Sequence, residues 1–453
     1  MKKVMFPALL LALVLLLAGC GAASAEPAPT VPETTAPAPA VLDVTDSVNE
    51  LNAYLELAAQ YPDTRIIWSV PFSAGPVRSD ASSLQLSKLA ETDLSLLVYL
   101  PDLQQLDLRQ ADNWDLTREL ISRYPQITVD YTVPLGPQHY PGDTSGEILL
   151  EDPDPTVLLE NLPYLPMVSQ VTLTGNLPDT AALISLKETF PGVIFLWEFD
   201  FLGIPVTTLT ESIDISGMPL SDTAEIEALL PCFYQLASVD MCDCGLSNEI
   251  MDGLNQRHKG TQFVWKVQIG FVTSRTDAIY FMPAKFGISW MRQEQTENLK
   301  YLTKLQVLDL GHYEGITDVS FLRYMPELRV LSLNSATFTD FTPIGTCQNL
   351  EFFEMFLAKG TDLWPLTNCT SLKNLNLSYM PYCDPLPLCQ MTWLDRLWIS
   401  GSKLSEEEKR MLEESLPNTI IVFNSSSSTG NGWRYSPSYY EGRDILKMNY
   451  MTR

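Results

Sequence analysis

Histidine and basic charge are the scarcest functional resources in this sequence. Three histidines, His139, His258 and His312, are spread through 453 residues, and no metal-ligand spacing relates them. Lysine and arginine total 29 against 55 acidic residues, a formal net charge of -26. Because neutralising phosphate takes clustered Lys and Arg, the expected partners exclude nucleic acid and an anionic membrane surface. No GxSxG, HExxH, Walker or GxGxxG pattern stands in a usable context, and there is no DxDxDG-type calcium loop. The expectation is a non-enzymatic chain without cofactor or metal, its excess carboxylates forming a solvated surface.

Long apolar runs are also missing, with one exception at the start. "MKKVMFPALLLALVLLLAGCG" joins two lysines, an apolar run of signal length and small residues before a cysteine. It resembles a bacterial lipoprotein signal with Leu17-Ala18-Gly19-Cys20 as the lipobox. That resemblance implies cleavage after residue 19 and a diacylglycerol on Cys20. Each buried CH₂ contributes roughly 0.8 kcal/mol, so two acyl chains anchor stably where one would not. The expected location is extracytoplasmic, on a bacterial membrane. Residues 20–42, rich in Pro, Ala and Thr, read as a disordered tether.

What the sequence has in abundance is repetition. In residues 301–423, Leu305, Leu328, Leu350, Leu372 and Leu394 recur at steps of 23, 22, 22 and 22, and Asp318, Asp340, Asp362 and Asp384 recur at 22. Met325, Cys347, Cys369 and Met391 keep the same step. LxxLxL recurring together with a fixed Asp resembles the leucine-rich-repeat family, and the 22-residue unit looks like its bacterial internalin-type version. The position where that family usually keeps Asn holds Tyr313, Ala336, Ala358, Met380 and Ser402. The fold class implied is α/β: a leucine-rich-repeat solenoid with a parallel β-sheet on the concave side and helices or loops on the convex side.

Residues 43–300 carry a longer, more divergent unit. "YPDTRIIW", "YPQITVDY", "FPGVIFLW" and "HKGTQFVW" begin 63, 66 and 68 residues apart, and "LPNTIIVF" returns at Leu416. Within each unit the pattern predicts strand, strand, helix, strand, helix, a divergent repeat with a hairpin-like extra strand. In "FPGVIFLW", Val193, Phe195 and Trp197 alternate with the other face, which predicts a half-buried strand. At the N-terminal end, Ser47 and Glu50 are spaced as a capping box before a helix whose apolar face is Val48, Leu51, Tyr54, Leu55 and Ala58. Residues 424–453, an aromatic tail with Trp433, Tyr435, Tyr439 and Tyr440, are expected to form a terminal cap.

Of the eight cysteines, Cys20 is assigned to lipid. Cys347 and Cys369 fall in a core column and read as buried thiols. Cys242 and Cys244 are too weak a pair for a metal site, and Cys232, Cys383 and Cys389 have no assigned fate.

Residues alternating with the inward LxL pairs should face away from the core. Phe352, Phe356 and Trp398 are large apolar groups at such positions, beside Glu354, Asn374, Asn376 and Arg396. Aromatics and arginine bounded by polar groups suit a protein-binding hot spot, and these seven are the candidate protein-binding residues. The other arrangement is that the aromatic tail folds over them. Protein binding or adhesion is what the family resemblance implies; the alternative is a carbohydrate-binding or cell-wall-associated accessory protein using the same aromatics.

Overall fold

The computed structural model describes residues 40 to 446. The signal segment, Cys20 and the tether up to residue 39 lie outside that range, as do residues 447–453. The chain divides into two compact units, one ending at Val133 and one beginning at Pro134. Both follow the α/β leucine-rich-repeat solenoid plan of short parallel strands joined by helices.

In the first unit, Val41–Asp43 pairs in parallel with Arg65–Ile67, so the end of the expected tether is already a strand. Helix Leu51–Gln60 lies between them in sequence, with Glu50 as N-cap and no side-chain capping bond. The expected Ser47/Glu50 box is therefore not formed; Ser47 Oγ donates instead to Val44 O at 3.3 Å, closing the turn that follows the new strand. Val48, Leu51 and Tyr54 do pack on the core, and Tyr54 stacks on the buried Trp68 with ring centroids 4.4 Å apart. Leu55 points outward and is 46% exposed, because the buried stripe is narrower than the apolar pattern. A three-stranded parallel sheet of Ser83–Gln85, Gln105–Asp107 and Thr128–Asp130 completes this unit's strand layer.

The second unit starts with two more three-stranded parallel sheets. One comprises Ser145–Glu151, Met167–Thr174 and Ile194–Leu196, the other Ser212–Asp214, Ser238–Asp240 and Gln262–Val264. After each sheet, the chain passes a buried tryptophan, Trp197 or Trp265, into an antiparallel hairpin. Counted from the strand that ends at the tryptophan, this is the expected order of strand, strand, helix, strand, helix, and the extra element is a two-stranded hairpin inserted after the first strand. The alternation read in "FPGVIFLW" holds, with Phe195 and Trp197 buried and Ile194 and Glu198 exposed.

A hydroxyl closes each of these hairpins. Thr276 Oγ1 accepts from Trp265 N at 3.1 Å, Thr208 Oγ1 donates to Phe195 O at 2.9 Å, and in the first unit Ser79 Oγ accepts from Trp68 N at 3.0 Å. All three hydroxyl residues are buried, and each stands eleven positions after its tryptophan. Where the repeat has Tyr131 in place of tryptophan, the eleventh position is Gly142.

The regular repeats form one seven-stranded parallel sheet: Tyr280–Phe281, Val307–Asp309, Val330–Ser332, Phe352–Glu354, Asn374–Asn376, Arg396–Trp398 and Ile420–Val422. It begins before the sequence boundary near residue 300, since Phe281 pairs with Leu308. The register aligns Leu308, Leu331, Phe353, Leu375, Leu397 and Ile421 in one row. On the core side, Met325, Cys347, Cys369 and Met391 are wholly buried, and burial pushes the Cys347 and Cys369 thiols up to about 12. Among the described residues the seven cysteines are all free; Cys389 alone of them is not fully buried.

The repeated Asp has a local task. Asp318, Asp340, Asp362 and Asp384 each accept from the backbone N–H two residues on, at 2.8, 2.8, 3.1 and 3.0 Å, fixing the start of the short helix that returns the chain. Asp154 and Asp222 do the same in the divergent repeats, at 2.8 and 3.0 Å. At the strand exits, His312, Ser335, Leu357 and Tyr379 all adopt left-handed backbone, φ between 61° and 68°. Their N–H groups donate to the next repeat, as His312 N does to Asn334 O at 2.8 Å. The chain thus extends its ladder with backbone where the family uses an Asn side chain, and Tyr313, Ala336, Ala358 and Met380 fill the buried position. In a divergent repeat, Cys244 takes that position and donates from Sγ to Ile215 O at 3.2 Å.

Candidate protein-binding face

Period two turns the side chains between the inward rows toward the sheet's other face. There the structure brings the candidate residues together: Phe352, Asn374 and Arg396 are direct register partners, as are Glu354, Asn376 and Trp398. They are not open to solvent. The chain after Val422 crosses this face, turns at Asn431 and Gly432 in left-handed backbone, and continues into helix Pro437–Ile445. Ser436 caps that helix, accepting from Tyr439 N at 3.2 Å.

Trp433, fully buried, is the apolar centre of the contact. It packs against Phe352 and Trp398 with ring centroids at 4.8 and 5.2 Å, and Tyr439 reaches Phe352 at 5.5 Å. Such pairs contribute about 0.5–1.5 kcal/mol each beyond their area burial. The polar residues around this cluster read the tail's backbone. Arg396 Nη1 donates to Trp433 O at 2.8 Å and Nη2 to Gly432 O, Trp398 Nε1 donates to Gly430 O at 2.9 Å, and Asn376 Nδ2 donates to Ser428 O at 2.8 Å. Burial holds the Arg396 pKa below the usual arginine range.

Glu354 is the buried charge of the site. Its side chain is 3% exposed, and it receives Trp433 Nε1 at 2.6 Å and a two-pronged contact from Arg434 Nε and Nη2, both at 2.9 Å. Burial works against the Arg434 charge, but the hydrogen bonds it donates to Glu354 raise its pKa all the same. A buried carboxylate is tolerated when a planar guanidinium and a third donor fill its lone pairs. Farther along, Arg329 bridges Glu351 and Glu441, each at 2.7 Å, and Lys285 Nζ donates to Leu446 O.

Of the two arrangements expected for these seven residues, the structure has the one in which the aromatic tail folds over them. Phe352, Glu354, Asn376, Arg396 and Trp398 touch the tail directly; Phe356 is 4% exposed beside His312, and Asn374 is 3% exposed. The polypeptide that lies on this face is the chain's own residues 428–434. Arg434, Glu441, Arg329 and Lys285 were missed. One signal was legible: a carboxylate between Phe352 and Phe356 requires a cation, and Arg434 stands beside the largest aromatic of the tail.

The other two histidines serve elsewhere. His258 Nε2 meets Glu227 Oε2 at 3.0 Å, a structural pairing as its repeat position implies, and His139 sits exposed with Nδ1 3.3 Å from Pro137 O. Among the described residues, no three His, Cys, Asp or Glu side chains cluster as a metal site would require.

No protein-family model matches this chain, and no curated protein does. Among solved structures it is similar to an internalin from Listeria monocytogenes, at 16% identity over 78% of this chain and 84% of that one, with a TM-score of 0.27. It is similar also to internalin C2 of Listeria monocytogenes, at 18% identity over 55% and 94% of the two chains, TM-score 0.26. A leucine-rich-repeat protein of Leptospira interrogans matches at 13% identity over 75% and 76%, TM-score 0.21. These overlays are loose, so the fold assignment rests on this chain's own repeat spacing and parallel register.

Proposed function

We propose that this protein is a non-enzymatic protein-binding or adhesion module, displayed outside the cytoplasm on a lipid anchor at Cys20. One observation carries the binding part: the free face of the seven-stranded sheet is formed to recognise a polypeptide, with Arg396, Trp398 and Asn376 all donating to main-chain carbonyls of the tail. Backbone recognition of this kind suits a protein segment, since it reads what every polypeptide shares, while Trp433 in its aromatic pocket supplies the selectivity. A protein partner engages this face as the tail lifts, or docks on the composite surface that sheet and tail form together.

The carbohydrate reading is the weaker one. Trp398 is 2% exposed under Trp433, and its indole N–H is already used, so Trp398 offers no open platform to a sugar ring. The anchor follows from the lipobox, and the acidic surface favours a neutral or cationic partner over nucleic acid.

The test is comparative capture. Full-length protein and its Trp433→Ser/Arg434→Gln variant, which loosens the tail, are presented to purified candidate surface proteins and glycans. Protein capture that changes in the loosened variant and is lost with Trp398→Ala is the expected result. Binding to purified glycan, lost with Trp398→Ala, would sink the protein-binding reading. For the anchor, incorporation of labelled fatty acid that disappears in Cys20→Ala is expected, and label retained in that variant would refute it.

A further inference from the structure

The last strand of the seven-stranded sheet, Ile420–Val422, ends a segment that repeats an earlier one. Residues 394–423 align with 236–265 without a gap, and their hydrogen bonds correspond. Ser405 caps helix Glu406–Ser415 as Ser247 caps helix Asn248–Arg257. Thr419 Oγ1 donates to Leu394 O at 2.6 Å as Thr261 Oγ1 donates to Leu236 O at 2.8 Å. Ile399 N donates to Val422 O at 3.0 Å as Met241 N donates to Val264 O at 2.8 Å.

The correspondence fails at the outer edge of the strand. Ile420 N donates inward to Asp395 O at 2.9 Å and Val422 O accepts inward from Ile399 N, so the N–H and C=O of Ile421 between them point away from the sheet. Phe263 holds that place in the earlier segment, and the Asn255 side chain takes both of its groups: Oδ1 accepts from Phe263 N at 2.8 Å and Nδ2 donates to Phe263 O at 3.0 Å. In the sheet before that one, Phe195 N donates to Tyr234 Oη at 2.9 Å and Phe195 O accepts from Thr208 Oγ1. The residue aligned with Asn255 is Glu413, an exposed carboxylate that cannot donate to a carbonyl. Among the described residues, neither Glu413 nor the Ile421 backbone has a hydrogen-bond partner outside the ladder. The apolar cover is incomplete too. Phe263 and Trp265 are buried, their counterparts Ile421 and Phe423 are half-buried, and Ile420 is 60% exposed. After Trp265 the chain enters a hairpin, whereas after Phe423 it departs across the free face of the sheet.

We propose that the outer edge of Ile420–Val422 binds an extended basic segment of another protein, which adds an eighth strand to the sheet. Its backbone pairs with the Ile421 N–H and C=O, its apolar side chains cover Ile421 and Phe423, and a Lys or Arg meets Glu413. An open strand edge is a template for such addition, main-chain hydrogen bonds giving affinity and alternate side chains giving selectivity. Charge decides the occupant. On the adjoining helix Glu406, Glu407, Glu413 and Glu414 are exposed and outnumber Lys409 and Arg410, and the whole chain carries -26, so a second copy is repelled where a basic strand is attracted. The edge is distinct from the tail-covered face, and its occupation does not depend on what binds there.

The experiment titrates the full-length protein by calorimetry with the capped peptide Lys-Val-Lys-Val-Lys-Val-Lys and with its counterpart carrying Glu for Lys. Saturable binding of the basic peptide is expected, with the acidic one at least about tenfold weaker. Ile421→Pro removes the outward N–H and leaves the inward bonds of Ile420 and Val422 in place, and Glu413→Lys reverses the charge; each should weaken the basic peptide at least about fivefold. No saturable binding, equal binding of the two peptides, or unchanged affinity in either variant would overturn the assignment; attraction by charge alone would leave Ile421→Pro unaffected. Should Ile421→Pro not fold, hydrogen exchange in the wild-type protein decides: an Ile421 amide slowed at least about tenfold by the basic peptide supports strand addition, and an unmoved one refutes it. Sedimentation without peptide should show no self-association through this edge, and a dimer that Ile421→Pro dissolves would give the edge to a second copy and overturn the basic partner.

Discussion

The second unit uses two versions of one repeat, and the versions differ most in what lies on the free face of the sheet. In the divergent repeats, Leu149, Gln170, Thr172, Ser212, Asp214 and Ser238 are outward and exposed or half-buried, while Val264 on the last divergent strand is buried. In the regular repeats, the corresponding rows hold Val307, Phe352, Glu354, Asn376 and Trp398, all buried. The inward rows are alike in both, and the Asp that starts each return helix makes the same contact in both. Solenoid construction thus fixes one face through burial and leaves the other free to vary with whatever covers it. Small polar residues mark an uncovered stretch of sheet, and aromatics mark a covered one.

Breaking the cover gives the largest expected effect. Trp433→Ala removes a fully buried indole that touches Phe352, Trp398 and Glu354, and should cost about 3–5 kcal/mol in denaturant unfolding. Leu149→Ala, at an exposed outward position of a divergent strand, should stay within about 0.5 kcal/mol. Comparable losses from the two would contradict the division between covered and uncovered sheet. Next in size is the hairpin found only in the divergent version. Thr276→Val deprives Trp265 N–H of its buried acceptor, for an expected loss of about 1–3 kcal/mol by thermal or chemical denaturation.

The shared return helix should respond equally in both versions. Asp340→Ala and Asp222→Ala each remove one turn hydrogen bond of the same kind, and each should cost about 1 kcal/mol. A large inequality would show that the two versions are not variants of one repeat. The smallest effect is at the surface of a divergent repeat, where hydrogen bonds from Arg257, Thr223 and His258 hold the Glu227 carboxyl at about 2, down from 4.5. Its folded-state pKa is depressed, so its stabilisation is fully present above about 4.5 and is lost as pH falls through about 2. The melting temperature of Glu227→Gln should lie slightly below wild type at neutral pH and converge with it across that acid window.

Local periodicity made much of this fold legible. The 22-residue step gives the inward leucines, the Met/Cys core column and the alternation at Phe195 and Trp197, because burial on one face imposes period two on every strand. The hairpins were half-legible. Their Trp recurs visibly, but its partner is one hydroxyl eleven residues away, Ser in one module and Thr in two others, which no hydrophobic pattern marks. The capping box failed because spacing alone cannot tell a cap from a turn that closes on Val44. Least legible was the cover itself. Glu354 meets Trp433 and Arg434 across 79 and 80 residues, and the tail has no period of its own to align with the strands it crosses.

Repeat arrays ordinarily tolerate the gain or loss of a unit, because each repeat touches only its neighbours. This array has a built-in ruler. Proceeding along the tail from Gly430, that residue is held by Trp398, Arg434 by Glu354, Glu441 by Arg329 and Leu446 by Lys285, so the tail is anchored successively back toward the first strand of the sheet. A further 22-residue unit inserted between Phe356 and Asn374 would part these anchors by one inter-strand step, about 4.8 Å, and leave Arg434 without its carboxylate or Trp433 without its pocket. The copy number of the regular repeats is in this way recorded in the length of the segment that follows them, and duplication or deletion of a repeat requires a matching change in the tail.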